Sequence, residues 1–367
     1  MSREEAIRDF LGRAAWGTAR REVLKGDAST RRYERLHGSR GTAILMDQPP
    51  GREAPACPPQ ATPEERRALG YNALARLAAG RVDAFVACAT YLKARGLSAP
   101  DIYFADPAHG LAVLEDLGDD LYASLVHAGI DEGPLYDAAI DALSLLHREP
   151  PPAQLLASDI RWPLLDYDGV ALQTAENLFV EWMPRFNPAL EFGKTSREDW
   201  DGIWAPIERR GASRASIFCH RDYHAENLIW LPRRSGPARV GLLDFQDAVR
   251  ASPVWDLSML LHDARRDISP EREALALRRY LDLHPGIDKE ELLADFHALG
   301  ALNIVRILGI FSRLVVRDGK PRYAGFMPRL WKYLDRCLAD PGLADLRRWF
   351  ERNVPHDKRT LLATVAK

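Results

Sequence analysis

Three oxygen-bearing side chains in one short stretch of the sequence could support phosphoryl transfer. Asp222 follows an apolar run, Asn227 comes five residues later, and Asp244 ends another apolar run. Phosphoryl transfer needs a carboxylate that accepts the proton of the attacking hydroxyl, and hard oxygen ligands that hold Mg²⁺ against the phosphates. The residue types and their spacing therefore make Asp222 a candidate base, and Asn227 and Asp244 candidate metal ligands.

The elements around these residues are predicted to bring them to one place. In chain order they are a strand at 217–218, a strand at 228–231, a turn at 232–237 and a strand at 240–243. This order forms a hairpin, and we expect Asp222, Asn227 and Asp244 to meet at one end of it.

The composition is that of a folded protein with no strong charge bias. Of 367 residues, 46% are hydrophobic and 28% are charged, which excludes disorder as the dominant state. The 50 basic and 52 acidic residues give a net charge of −2. The balance lacks the strongest sign of a nucleic-acid or membrane-surface protein, so we expect neither partner.

The cysteines and the most apolar stretch exclude further classes. The four cysteines stand far apart with no C-x-x-C spacing, which argues against a disulfide scaffold or a zinc ribbon. The apolar stretch 298–316 contains Arg306 and Arg313, so we expect no membrane span. No apolar leader follows the first residues, and we therefore expect a cytoplasmic protein.

The rest of the chain predicts an α+β fold with two lobes. Strand patterns occur at 33–36, 43–46, 102–105 and 111–114, and helical periodicity dominates at 121–146 and after 256. Ser2 with Glu5, and Thr62 with Glu65, have the spacing of helix-capping boxes. We expect a small β-rich lobe at 1–117 and a larger helical lobe at 118–367.

The motifs then lead to a family. His220-Arg221-Asp222 with Asn227, Asp244-Phe245-Gln246, and Trp255-Asp256-Leu257 resemble the motifs of the protein-kinase-like small-molecule phosphotransferases. That superfamily contains the aminoglycoside phosphotransferases and the choline kinases. The resemblance implies a bilobal kinase-like fold that uses ATP and Mg²⁺, with nucleotide bound by the 1–117 lobe. It also implies that Asp256 opens a helix and braces the catalytic loop.

Further segments sharpen the resemblance. They are Gly26–Tyr33, Leu45–Pro50, Leu114–Gly118, Asp244–Ala248, Ile307–Leu314 and Arg317–Lys320. Together they resemble the N-acetylmuramate/N-acetylglucosamine anomeric kinases of bacterial cell-wall recycling. The resemblance implies ATP-dependent phosphorylation of the anomeric hydroxyl, which gives a sugar 1-phosphate.

The same resemblance suggests binding residues. The candidates for the turn that covers the phosphates are Asp27, Ala28, Ser29, Thr30, Arg31 and Arg32, since backbone N–H groups in a tight turn can cradle phosphate oxygens. Glu115 and Leu117 are candidates for the hinge that contacts adenine, and His224 and Asp247 for sugar contacts. An ordinary hairpin turn with surface arginines is the alternative for 27–32.

One feature departs from the kinase pattern. Kinase-like proteins carry a lysine on the third strand that binds the α- and β-phosphates, whereas the corresponding strand here reads Ala43-Ile44-Leu45-Met46 and is followed by Asp47. We expect Arg31 or Arg32 to supply the missing charge, because a guanidinium suits phosphate geometry. Asp83 is a candidate for the carboxylate partner on the first-lobe helix.

The distribution of charge bears on the substrate. Residues 301–330 contain six basic side chains and one acid, which favours an anionic or neutral amino sugar over a polycationic aminoglycoside. Arg306 lies in the most apolar stretch and is the candidate for a substrate carboxylate, with Arg313 seven residues further on one helix face. A solvated basic face is the alternative explanation.

Two other functions stay open at this point. An aminoglycoside or other amino-alcohol phosphotransferase would use the same core chemistry. A pseudokinase that binds nucleotide without transfer is favoured by the missing lysine and opposed by Asp222, Asn227 and Asp244. The expected partners are a small amino sugar and ATP, and the sequence indicates no obligate protein partner.

Overall fold

The computed structural model describes residues 2–24, 31–51 and 53–359. Contacts between Cα atoms divide the chain into two compact units. The first unit comprises the described residues of 1–146, 151–165 and 226–249, and the second those of 147–150, 166–225 and 250–367. The predicted β-rich nucleotide lobe at 1–117 and helical, sugar-binding lobe at 118–367 stay a prediction.

Strands and helices alternate through the first half of the chain, and helices dominate the second. The strands are β1 (Arg20–Val23), β2 (Arg32–Gly38), β3 (Gly41–Asp47), β4 (Ile102–Asp106), β5 (Leu111–Glu115), β6 (Gln154–Ala157), β7 (Ile160–Pro163), β8 (Ile217–Cys219), β9 (Leu228–Trp230), β10 (Val240–Leu242) and β11 (Val249–Ala251). The helices are α1 (Arg3–Arg13), α2 (Pro63–Leu69), α3 (Tyr71–Leu74), α4 (Val82–Ala94), α5 (Tyr122–His127), α6 (Glu132–His147), α7 (Gly169–Phe186), α8 (Lys194–Ser213), α9 (Val254–Leu261), α10 (Pro270–Leu283), α11 (Lys289–Val316), α12 (Met327–Leu338), α13 (Ala344–Asn353) and α14 (His356–Arg359).

The first unit is built on an antiparallel five-stranded sheet in the order β1-β2-β3-β5-β4. Helix α1 buries Ile7, Phe10 and Leu11 against Leu36 and Val113 of the sheet. These apolar side chains point to one face because side chains alternate along a strand and recur every three to four residues on a helix. The sheet therefore carries its own core.

The four strand predictions at 33–36, 43–46, 102–105 and 111–114 are confirmed as β2 to β5. Strand β1 was not predicted, because its sequence Arg-Arg-Glu-Val has no apolar alternation and it lies exposed at the sheet edge. Both predicted capping boxes are present, at Ser2 with Glu5 and at Thr62 with Glu65. The helical stretch at 121–146 is correct in type but divides into α5 and α6, separated around Gly129, whose φ is +87°.

Several other elements of the first unit lie next to α4 or to the segment that follows it. Helix α4 contacts β4 and the hairpin formed by β6 and β7. The ribbon of β9 and β10 pairs antiparallel and is tied to the segment after α4, because the Leu242 amide donates to the Ser98 carbonyl at 2.8 Å. The ribbon therefore has a fixed place within this unit.

The second unit is a helical assembly around α7 and α11. Gly309 of α11 lies so close to α7 that a Cβ there would come within 2.4 Å of the Leu178 carbonyl carbon. Helix α11 is long and apolar enough to cross a membrane by composition, but 72% of its most apolar window is buried inside the protein. It is the central helix of a packed core. A second cluster of aromatic rings joins α7, α8, α12 and α13 through Phe179, Trp200, Trp331, Trp349 and Phe350.

Candidate active site

The two candidate metal ligands lie at the same end of the β9–β10 ribbon. Leu228 pairs with Leu242, and one step further the Leu243 amide donates to the Asn227 carbonyl at 2.9 Å. Asn227 directly precedes β9 and Asp244 follows β10, so the two residues lie side by side at one end of the ribbon, as expected from the predicted hairpin. Asp222 belongs to the second unit, so the predicted meeting of all three residues stays a prediction.

The backbone at Asp244 has an unusual conformation. Its φ is +60°, which a residue other than glycine rarely adopts. The next residue, Phe245, is buried and stacks on Phe85 of α4 with ring centroids 4.7 Å apart. The Gln246 amide Nε2 donates to Asp244 Oδ1 at 3.1 Å. Packing on one side and a hydrogen bond on the other hold the carboxylate in place.

A guanidinium group also contacts this carboxylate. Arg31 Nη2 lies 3.2 Å from Asp244 Oδ1, and Nη1 donates to Gln246 Oε1 at 2.8 Å and to the Tyr33 hydroxyl at 3.1 Å. Burial lowers the pKa of Arg31, but Tyr33 and the carboxylates of Asp244 and Asp247 hold it above its usual value. Arg31 is thus a permanent cation at the candidate metal ligand.

The other part of the predicted phosphate turn differs. Arg32 is 58% exposed in its side chain and lies 3.5 Å from Asp47, which also accepts from Arg3 Nε at 2.9 Å. Strand β3 therefore ends in a buried, paired carboxylate. The turn residues Asp27, Ala28, Ser29 and Thr30 lie outside the described residues, so their predicted role stays a prediction.

The predicted hinge follows directly from β5. The side chain of Glu115 pairs with Arg234 at 2.5 Å. Asp116 accepts from Arg35 at 2.8 Å and from the Gly118 amide at 3.1 Å. Burial raises the pKa of Asp116, but the hydrogen bond from Arg35 brings it below its usual value. These contacts fix the backbone around Leu117, and its contact with adenine stays a prediction.

In the second unit a buried carboxylate organises the loop that contains Asp222. Asp256, in the first turn of α9, is fully buried and accepts from the amides of His220 at 2.7 Å and Arg221 at 2.8 Å. Burial raises its pKa, but His147 and the His220 amide hold the pKa below its usual value. The bracing contact that the resemblance implied is therefore present in the geometry.

A second carboxylate holds the other end of the same loop. The buried Asp263, just after α9, accepts from the Ala225 amide at 3.3 Å and from the Arg265 amide at 2.9 Å. Burial raises the pKa of Asp263. The half-buried Asp222 thus lies on a loop with one carboxylate at its start and one at its end.

Stacked rings support the loop from a third side. Arg221 is 2% exposed with φ of +79°, and its guanidinium lies over the Tyr167 ring at 4.7 Å. The Tyr167 ring meets the Trp255 ring edge-on, with centroids 4.7 Å apart. Trp255 precedes the bracing Asp256, so α9 and the Tyr167 segment both contact the residues before Asp222.

The Trp255 ring also contacts Arg306. The Arg306 guanidinium lies 5.6 Å from the ring centroid, and its Nε donates to Asn303 Oδ1 at 3.0 Å. Arg306 is 8% exposed, and within the described part of the chain no carboxylate forms an ion pair with it. A buried cation normally has an acidic partner. Binding of a substrate carboxylate by Arg306 stays a prediction.

The other predicted site residues have structural contacts. Asp247 Oδ1 accepts from the Ala78 amide at 2.6 Å, and His224 is 7% exposed. Arg313 is half-buried on α11, on the same face as Arg306. Asp83 accepts from Arg81 Nε at 2.8 Å. Sugar binding by Asp247, His224 and Arg313 stays a prediction, as does the kinase role of Asp83.

Sequence reasoning missed Tyr167 and Asp263 as supporting residues, and it included Gln246 only as a member of the Asp244-Phe245-Gln246 motif, without a predicted contact. Tyr167 is separated from Arg221 by more than fifty residues, and nothing in its local pattern marks it. Asp263 follows the apolar helix α9 in the sequence His262-Asp263-Ala264-Arg265-Arg266. A carboxylate directly after a buried helix was the only signal available for it.

Comparisons with known proteins indicate the family of this chain. The family model described as the phosphotransferase enzyme family matches residues 20–293. A curated protein of Caulobacter vibrioides, named N-acetylmuramate/N-acetylglucosamine kinase, is 64% identical over 357 residues, which cover 97% of this chain and 98% of that protein.

Two solved structures share the fold. Choline kinase from Cryptosporidium parvum has a TM-score of 0.57 at 12% identity, covering 94% of this chain and 99% of that one. An ADP-bound aminoglycoside phosphotransferase has a TM-score of 0.51 at 14% identity, covering 91% and 98%. The expected kinase-like α+β fold is thus confirmed, and the chain belongs to the phosphotransferase enzyme family, in the group with the Caulobacter kinase.

Proposed function

We propose that this enzyme uses ATP to phosphorylate the anomeric hydroxyl of N-acetylmuramate and N-acetylglucosamine, giving the sugar 1-phosphates. The observation that carries the proposal is the 64% identity, over nearly the full length of both chains, to a protein named for these two sugars. The proposed setting is the recycling of cell-wall amino sugars in the cytoplasm, where ATP is available.

Asp222 is the proposed base. Its carboxylate accepts the proton of the anomeric hydroxyl while the sugar oxygen attacks the γ-phosphorus, and ADP leaves. Such a base has to be held in position, since catalysis of phosphoryl transfer is mainly positioning. The hydrogen bonds from the loop amides to Asp256 and Asp263 support this role.

Asn227 and Asp244 are the proposed ligands of Mg²⁺. The donor set fits this ion, because an amide oxygen and a carboxylate oxygen are hard ligands and both leave the same end of the β9–β10 ribbon. That Arg31 contacts Asp244 supports the fit, since this carboxylate already attracts a cation. When bound, Mg²⁺ would neutralise charge on the phosphates. The segment 27–32 and the hinge at Glu115 and Leu117 are the proposed nucleotide contacts.

Arg306 is the proposed partner of the lactyl carboxylate that distinguishes N-acetylmuramate from N-acetylglucosamine. Its guanidinium is buried, donates a hydrogen bond to Asn303 and lies over the Trp255 ring. Trp255 adjoins the residue that braces the catalytic loop, so an anion at Arg306 would be bound near that loop. Arg313, His224 and Asp247 are proposed as further sugar contacts.

A substrate panel tests the function. ATP consumption is measured with N-acetylmuramate, N-acetylglucosamine, glucose, choline and kanamycin, with Asp222→Asn as the inactive control. We expect turnover on the two N-acetyl sugars, an acid-labile 1-phosphate product, and loss of turnover in the control. Turnover on kanamycin or choline alone would contradict the substrate assignment, and nucleotide binding without any turnover would indicate a pseudokinase.

Arg306→Met tests the carboxylate contact. Because a charged hydrogen bond contributes about 1.5–3 kcal/mol, kcat/KM for N-acetylmuramate should fall by about 10- to 100-fold. The value for N-acetylglucosamine, which has no carboxylate, should change by less than about threefold. The exposed Arg322→Met in the same basic stretch is the control. Equal losses on both sugars would show that Arg306 supports the fold rather than the carboxylate.

A further inference from the structure

Arg31 places a positive charge at Asp244, and strand β3, where other kinases carry a lysine, has no basic residue. Its guanidinium contacts Asp244 Oδ1, Gln246 Oε1 and the Tyr33 hydroxyl. The side chain is 10% exposed, whereas that of Asp244 is 43% exposed. A cation that is largely buried is therefore held against a carboxylate that solvent and ligands can still reach.

Neither strand β3 nor Arg32 supplies a positive charge at Asp244. Strand β3 ends in Asp47, which pairs with Arg3 and Arg32, so this strand presents a neutralised carboxylate and no cation. Arg32 is mostly exposed and directed to Asp47. Of the two arginines that could replace the lysine, only Arg31 contacts the candidate metal ligand.

The contacts of Arg31 suit a side chain that exchanges partners. A guanidinium binds carboxylate and phosphate with the same fork of N–H donors. Gln246 accepts from Arg31 through Oε1 and donates through Nε2 to Asp244, so it holds both groups in register. Gln246 and Tyr33 would keep the guanidinium in place if Asp244 turned to another cation.

We propose that Arg31 is an exchangeable cation: it holds Asp244 in the nucleotide-free protein and binds the nucleotide phosphates once the metal takes Asp244. This inference rests on the proposed role of Asp244 as a metal ligand. The cation that replaces the missing lysine then comes from the residue just before β2 and not from β3. It also gives the nucleotide-free protein a way to keep Asp244 ordered.

The proposal predicts effects of opposite sign on metal and on nucleotide. In Arg31→Met, Asp244 loses its competing cation, so Mn²⁺ alone should bind about fivefold or more tightly. The same variant lacks the phosphate contact, so ADP with Mg²⁺ should bind about 10- to 100-fold more weakly. Mn²⁺ binding is measured by the electron paramagnetic resonance signal of free Mn²⁺, and ADP binding by calorimetry.

Three further variants serve as controls for this measurement. Asp244→Asn identifies the Mn²⁺ site, because it should abolish the tighter binding. Arg21→Met removes the same charge from β1, where Arg21 pairs with Glu34, and should change both affinities by less than about twofold. If thermal unfolding shows that Arg31→Met misfolds, Arg31→Gln replaces it. Glutamine keeps hydrogen-bonding groups for Gln246 and Tyr33 but carries no charge, so Mn²⁺ should again bind more tightly than in wild type.

Several outcomes would overturn the proposal. They are unchanged or weaker Mn²⁺ binding in the Arg31 variants, unchanged ADP binding in Arg31→Met, or loss of ADP affinity in Arg32→Met instead. No sugar is present in these measurements. Failure of the substrate panel would therefore not affect them, and their failure would leave the sugar assignment in place.

Discussion

Arg221 and Asp244 share a left-handed backbone, with φ of +79° and +60°. Each such residue costs about 1–3 kcal/mol and persists only where its surroundings enforce it. The Asp256 carboxylate and the Tyr167 ring hold Arg221, while the Phe245–Phe85 stack fixes the residue after Asp244. The cost falls next to the proposed base in one case and on the proposed metal ligand in the other.

We expect Tyr167 to act as a positioning residue through its ring, which contacts Arg221. Tyr167→Leu removes the cation–π contact with Arg221, which contributes about 0.5–2 kcal/mol. We expect kcat to fall about 3- to 30-fold while KM for both substrates changes little. Tyr167→Phe keeps the ring and should retain most of the activity. A large KM increase with unchanged kcat would instead place Tyr167 in substrate binding.

At the scale of residues, the sequence predicts candidate catalytic side chains but not the contacts that hold them. Residue type and spacing predict the roles of Asp222, Asn227 and Asp244, and the ribbon end that joins Asn227 and Asp244 is confirmed. Tyr167 and Asp263 reach the loop from distant segments. No local pattern encodes such contacts, because they arise only from the tertiary packing of the helices.

At the scale of elements, helices α7 and α8 carry two buried carboxyl groups. Glu176 is fully buried and Glu208 is 8% exposed. Burial, with the Glu208 carboxyl nearby, raises the pKa of Glu176 to about 11. Burial also raises the pKa of Glu208. The interface of these helices therefore holds at least one proton near neutral pH.

This proton makes the stability depend on pH. The folded pKa of Glu176 exceeds the unfolded one, so its favourable effect is complete below about pH 4.5 and declines as pH rises towards the folded value. Glu176→Gln should remove the decline. Its free energy of unfolding in urea, relative to wild type, should rise by up to about 1.4 kcal/mol per pH unit between about pH 6 and 8. The exposed Glu181→Gln on α7 is the control, and parallel pH curves for wild type and Glu176→Gln would refute the idea.

The contact between α7 and α11 depends on the absence of a side chain at Gly309. An alanine Cβ there would overlap the Leu178 backbone, so one helix must move. Gly309→Ala should lower the free energy of unfolding by about 1–3 kcal/mol. Gly12→Ala in α1, where nothing lies within 4 Å, should be neutral or stabilising by up to about 1 kcal/mol. Equal stability of the two variants would show that the helices separate easily.

Element prediction succeeded where the local pattern was strong. Alternating apolar residues gave β2 to β5, and capping boxes gave the starts of α1 and α2. It failed at β1, whose charged strand is held by pairing with β2, and at the hairpin of β6 and β7. These segments form strands because they pair with a neighbouring strand. The sequence of a short segment does not show such pairing.

For the whole molecule, the cysteines report on both units. All four are buried, with Cys57 and Cys88 in the first unit and Cys219 and Cys337 in the second. Burial raises the pKa of the thiols of Cys88, Cys219 and Cys337. Only thiolates react quickly with disulfide reagents. The native protein should therefore react with none of its four thiols in a short assay, and the urea-unfolded protein with all four.

Mass spectrometry of the labelled peptides would locate each reaction. Labelling of both cysteines of one unit at lower urea than those of the other would show that the units unfold in separate steps. A thiol that reacts rapidly in the native protein would contradict its burial.

The first unit is not continuous along the chain, and this has a consequence for its synthesis. Its sheet and α4 are complete by residue 146, but the β9–β10 ribbon ends only near Val249. At roughly 5–20 residues per second, translation of the intervening segment takes about 5–20 s. During that time Phe85 has been synthesised, but Phe245, on which its ring stacks in the folded protein, has not. We therefore expect the nascent chain to expose an apolar surface for seconds, during which a chaperone could bind it.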